Sequence, residues 1–311
     1  VDGYALRVAW DFVEPSPGVY DFTIIDNILA KLPAGQKLSL ILVPPEPAEI
    51  AETSGVVTWM DVDRNGDPVQ RAVPWDPVLR QRRGQFLAAL AAHQTGGVAL
   101  AANPVLAAVN PYLPGGHTGI RDPNQVRLKN LPGYSRAGLL SAVRAELHAL
   151  TGLFPGSAVQ LGFWKVQDDE GGTEAWEELR QAILGEFDGA SRPKVGFFME
   201  NLAASRPAPA TDPPTGYPVT EFAAPLHLSM GDTWTAFQAL TSWTAPFTGH
   251  DKVANGTPED GIRYALDTFG CRYFELYVSD IDNPQFQAEL QLLHDQLTSA
   301  TAAVGDWNSH H

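Results

Sequence analysis

Acidic side chains at the ends of apolar runs are the residues of this chain best suited to chemistry. Glu275 interrupts Phe274-Glu275-Leu276, Glu200 follows the apolar run 194–199, and Asp168 and Asp169 follow the run 159–166. A carboxylate in so apolar a strand must find an inward polar partner or an outward contact with a helix, and inward burial favours its protonated form. Paired carboxylates of this kind suit cleavage of a glycosidic bond, with one group on each side of it. They stand ~5–5.5 Å apart where configuration is retained and ~6.5–9.5 Å apart where it is inverted. The structural alternatives are an Arg7–Glu275 ion pair, a loop hydrogen bond at Glu200 and a solvated turn at 168–170.

Flat rings at strand ends would supply the complementary surface. Trp10, Trp75, Tyr112, Trp164 and Trp243 are candidates for stacking on a pyranose face. Asn110, and His117 in Gly115-Gly116-His117-Thr118-Gly119, are candidates for polar contact with the same substrate. Other chemistries lack their residues. No Gly-x-Ser-x-Gly elbow, Gly-x-Gly-x-x-Gly or Walker loop occurs. His93, His148, His227, His250 and His294 show no metal-ligand spacing, and Cys271 is the one cysteine. Asp61 to Asp67 resembles the start of a calcium loop, but Ala72 stands where the twelfth-position Glu belongs, and Asn65-Gly66 reads better as a hairpin turn. No metal and no cofactor are therefore expected.

These residues need elements to hold them. Apolar runs predict strands at 4–10, 37–43, 98–109, 159–166, 194–199, 234–243 and 273–279. Between them lie helical stripes: Leu139, Val143, Leu147 and Leu150 after Ser135, then Trp176, Leu179, Ile183 and Phe187. Thr257-Pro258-Glu259-Asp260 starts another helix that Gly270 stops, and Asn283-Pro284 starts the last. Strand-helix alternation means a parallel sheet, either doubly wound or closed as a (β/α)8 barrel. Helix-to-strand connections are short and three strand-to-helix connections are long, which favours the barrel, whose βα loops build the site.

The chain has 311 residues and a net charge of −15. So acidic a surface repels phosphate backbones, and no nucleic-acid partner is expected. Arg80, Arg82 and Arg83 fit the solvated side of a helix. No apolar run reaches the ~18 residues needed to span a bilayer, so no membrane partner is expected either. Residues 1–307 read as one barrel domain, and 308–311 as the stub of a purification tag. Nothing in the sequence sets an oligomeric state.

The segment from Arg7 to Phe22, with Arg7, Trp10, Glu14, Pro15, Gly18, Tyr20, Asp21 and Phe22, resembles the R-x-x-W-x-x-x-E-P-x-x-G-x-Y-D-F signature of clan A (β/α)8 glycoside hydrolases, notably β-galactosidase-like families. The resemblance extends to Val73-Pro74-Trp75-Asp76-Pro77 and to Tyr273-Phe274-Glu275-Leu276-Tyr277 with Asp280. It implies that 4–10 is the second barrel strand and that the first is missing or substituted; the Asn65-Gly66 turn then makes 56–60 and 69–73 a β-hairpin inserted after the third. It also implies a carbohydrate substrate, with a lean to an extracellular or periplasmic setting. Glu14 is a candidate partner for a covered Arg7. Retaining members carry an acid/base Glu behind an Asn after the fourth strand and a nucleophile Glu on the seventh. Here Pro111 follows Asn110, and 237–243 contains no carboxylate. The expected function is therefore glycoside hydrolysis by Glu275 and Glu200, with Asp168 or Asp169 in reserve; the alternative is a non-catalytic carbohydrate-binding barrel.

Overall fold

The computed structural model describes residues 2–62, 66–114, 119–123, 126–166, 168, 174–187, 194–208, 223–245 and 255–304, with side chains to 298. Asp169 and His117 lie outside them. The chain divides into two compact units, Val1–Val195 and Gly196–His311. Seven of its strands run parallel and are ordered as in the chain.

In the first unit, β1 (Gly3–Ala9) pairs in parallel with β2 (Lys37–Val43). β2 is rich in Leu, Ile and Val, interrupted by Ser39, and is buried along almost its whole length, as a central strand of a parallel sheet must be. An antiparallel hairpin of β3 (Thr58–Val62) and β4 (Pro68–Ala72) follows, with Trp59 opposite Arg71 and Asp61 opposite Val69. This is the predicted insertion. The predicted strand 98–109 is instead two structures. Gly96 and Gly97 both take positive φ and fold β5 (Gln94–Thr95) against β6 (Val98–Ala99). Asn103-Pro104 then breaks the chain, and the parallel strand β7 (Leu106–Asn110) begins only afterwards, beside β2 and β8 (Ala158–Gly162).

Helices cover these strands: α1 (Thr23–Leu29), α2 (Pro77–Ala92), α3 (Arg136–Leu153) and α4 (Ala175–Phe187). Asp76 caps α2 by accepting from the Val78 and Leu79 N–H groups at 2.8 and 3.3 Å, and Pro77 occupies the first helical position. Ser135 caps α3 through the Gly138 N–H at 3.0 Å.

The second unit carries the parallel strands β9 (Val195–Leu202), β10 (Thr235–Ala239) and β11 (Tyr273–Glu275). Helices α5 (Pro258–Phe269) and α6 (Pro284–Val304) complete it. Thr257 and Asp260 form a reciprocal capping box at the start of α5, and Gly270, at φ 62°, ends the helix in the left-handed conformation. Phe237 of β10 packs against Phe269 of α5 with ring centroids 5.0 Å apart and ring planes tilted by 56°. That contact defines the helix-facing side of β10. Alternate residues face the other way.

Candidate active site

The signature segment of the first unit folds into a knot around Glu14. Its carboxylate accepts from Trp10 Nε1 at 2.5 Å, from the Gly18 N–H at 2.8 Å and from Arg82 Nη2 at 2.6 Å. Arg82, supplied by α2, therefore takes the place expected for Arg7, which is exposed on β1. Trp10 has no exposed surface and stacks on Phe86 at 5.3 Å. It fills the core and offers no ring face to a sugar. The arginines of α2 are likewise not a solvated stripe. Arg83 is buried and binds Glu146 of α3 at 2.7 Å, because a buried guanidinium requires a carboxylate.

Beyond the C-terminal ends of β2 and β7 lies a second polar group. Tyr112 is buried under the Arg83 guanidinium, 4.4 Å above its ring, and burial pushes the phenol well above its usual range. Its hydroxyl, and both polar atoms of the buried Asn110 carboxamide, have no hydrogen-bond partner among the described residues. Glu46 is buried 3.5 Å from Arg71, whose Nε donates to Asp61 at 2.7 Å. Glu46 and Arg71 were not singled out from the sequence. The signal for Glu46 was its place in Pro44-Pro45-Glu46-Pro47, directly behind a strand that ends in the core. Asp11 stands in the field of the same arginine, and desolvation raises its carboxyl above the usual range.

Asp168, beyond β8, is buried and saturated. It accepts from Tyr134 Oη at 2.9 Å, from Arg136 Nε and Nη2 at 2.7 and 2.6 Å, and from the Ala175 N–H at 3.2 Å. The pairing lifts the Arg136 guanidinium still further above its ordinary range. Asp168 is thus an anchor for α3 and α4 and not a solvated loop residue, since four donors occupy its oxygens. Beside it the half-buried Trp75 meets Tyr134 edge-on at 5.6 Å and donates to the Pro132 carbonyl at 3.0 Å. Trp164 is buried, with the Arg121 guanidinium 5.3 Å from its ring centroid. These rings and charges all belong to the first unit.

The second unit brings Glu200 and Glu275 to one row. Gln238 of β10 is in register with Glu275 of β11, and Phe237 with Met199 of β9. The β9–β10 register then slips, so Glu200 and Asn201 together oppose Gln238 before Ala239 meets Leu202. Asn201 has a φ of 86°, the left-handed geometry in which a bulge stores its extra residue. Since Phe237 faces α5, the row Glu200, Gln238, Glu275 lies on the opposite face of the strands. Glu275 is 7% exposed and Gln238 9%, whereas Glu200 is half-buried. Tyr273, two residues before Glu275 on the same face, donates its hydroxyl to Glu275 Oε1 at 3.4 Å. Half-buried Trp243 donates to the Asn255 carbonyl at 3.1 Å, and its ring lies so close to Gly261 of α5 that a Cβ there would approach it to 3.0 Å.

No family model matches the chain. None of the curated proteins matches it significantly in sequence. Solved structures do match in shape. The β-galactosidase from the psychrophilic Marinomonas ef1 superimposes with a TM-score of 0.55 at 10% identity, over 97% of this chain and 56% of that one. The cold-adapted β-galactosidase from Rahnella sp. R3 gives 0.51 at 13% identity, over 96% and 51%. Endo-glycoceramidase II from Rhodococcus sp. gives 0.43 at 15% identity, over 88% and 64%. The chain spans about half the length of the two β-galactosidases. Seven parallel strands in chain order, interleaved with helices, give it the fold of these (β/α)8 glycoside hydrolases, with one strand fewer than eight among the described residues.

Proposed function

We propose that the protein hydrolyses a glycosidic bond in an oligo- or polysaccharide, with Glu200 and Glu275 as the two carboxylates. The observation that carries this reading is the row on the second unit's strands, where the two glutamates flank Gln238 on one face. Two carboxylates and water suffice for the reaction, and the mechanism calls for no cofactor. The fold shared with β-galactosidases is consistent with it but does not choose the sugar or the linkage.

A second reading is a carbohydrate-binding protein without turnover, favoured by Pro111 directly after Asn110. A panel of 4-nitrophenyl glycosides separates the two. The hydrolase releases nitrophenol from at least one member, and Glu275→Gln and Glu200→Gln each lower kcat on an oligosaccharide of the same sugar, whose leaving group needs a proton, at least about 1,000-fold with the melting temperature within a few degrees of wild type. Saturable glycan binding with no release from any member supports the second reading instead.

A further inference from the structure

We infer that the first unit binds a neutral sugar through the Tyr112 hydroxyl and the Asn110 and Gln160 carboxamides, and turns acidic sugars away; the inference rests on the carbohydrate reading above, in either of its forms. Ser39 Oγ of β2 donates to Gln160 Oε1 of β8 at 3.4 Å, reaching across β7, so both side chains stand on one face of the sheet. Ser39 is in register with Ala108, whose methyl group leaves that path open. Asn110, two residues further along β7, rises from the same face. Val109 pairs with Val159, which sets Asn110 level with Gln160. Tyr112 follows two places beyond, under the Arg83 guanidinium.

Tyr112 Oη, both polar atoms of Asn110, Gln160 Nε2 and Arg83 Nη1 are buried and have no hydrogen-bond partner among the described residues. Folded proteins pair nearly all their buried polar groups, so five such atoms around the end of one strand point to a partner from outside the chain. Arg83 Nη1 and Gln160 Nε2 can only donate, whereas the Tyr112 hydroxyl and the Asn110 carboxamide both donate and accept. A metal ion is repelled by the donors, and an anion leaves the acceptors unmatched. Hydroxyls of a sugar, each donor and acceptor at once, match both.

Charge then selects among sugars. Arg83 is held by Glu146, and Arg71 by Asp61 with Glu46 3.5 Å away. Three buried carboxylates thus stand against two guanidiniums, and Glu46, Glu146, Arg71 and Arg83 all act on Tyr112. A ligand carboxylate meets net negative charge here, and a neutral pyranose does not. Asp11, in the field of Arg71, is exposed and marks the side from which a ligand approaches.

Ligand-observed NMR titration of the full chain at pH 7 and low salt, with each sugar raised to about 50 mM, tests this against galactose, glucose, mannose, galacturonate and glucuronate. At least one neutral sugar should bind, and the uronates at least about tenfold more weakly than it. Tyr112→Phe keeps the ring under Arg83. It should weaken the neutral sugar at least about threefold with the melting temperature unchanged or raised, because the folded chain does not pair that hydroxyl. Glu46→Gln should narrow the gap between neutral and acidic sugars. A smaller loss in Tyr112→Phe, or a melting temperature several degrees lower, refutes the binding site. Uronates as tight as neutral sugars, or a gap unmoved by Glu46→Gln, refute the charge selection. Binding of no sugar refutes the whole inference, while nitrophenol release from the glycoside panel still decides the hydrolase reading on its own.

Discussion

Asp122 carries an electrostatic penalty in the folded chain. Burial raises its carboxyl to about 6, although the Leu128 N–H donates to it at 2.8 Å. The folded value lies above the unfolded one, so between about pH 4 and pH 6 the native state binds more protons than the unfolded state. Stability contributed by the protonated form is complete below that window and is lost as pH rises through it. Asp122→Asn keeps an acceptor for Leu128 and never ionises. Urea melts across pH 3.5–7.5 should show it more stable than wild type by about 1–3 kcal/mol above pH 6 and unchanged below pH 4. Single residues were the least legible scale of the sequence. Trp10 and Glu14 stood out by type, yet their roles depend on Arg82, 68 positions from Glu14. Glu275 and Glu200 could be chosen as strand-end carboxylates. Their alignment could not, because one left-handed residue at 201 decides the register.

Elements were legible where the chemistry is local. Ser135, Asp76 and the Thr257–Asp260 box announce helix starts because short side chains satisfy N–H groups a few residues away, and Gly270 announces a stop because it alone adopts φ 62° without strain. Thr257→Ala removes one arm of the box and should destabilise the protein by about 1 kcal/mol in urea unfolding, with the rest of the helix intact. Strand limits were read less well. The run 98–109 is apolar throughout, and apolarity cannot distinguish a strand of the sheet from a β-hairpin stub and a turn. Paired glycines and Asn103-Pro104 overrode the pattern.

For the whole molecule, alternation of strands and helices with long βα loops was enough to predict the fold, because those features follow from how a parallel sheet must be connected. The net charge of −15 acts at the same scale. Like charges at the surface repel one another over a Debye length, which is ~10 Å at 0.1 M salt. The melting temperature should therefore rise by a few degrees between low salt and about 0.2 M sodium chloride, and a flat or falling curve would show that the acidic groups are already neutralised by their arginine partners. The slack stored at Asn201 reaches further. Deleting that single link would let Leu202, the last residue of β9, follow Glu200 directly and still meet Ala239, so the strand would lose its kink and keep its pairing.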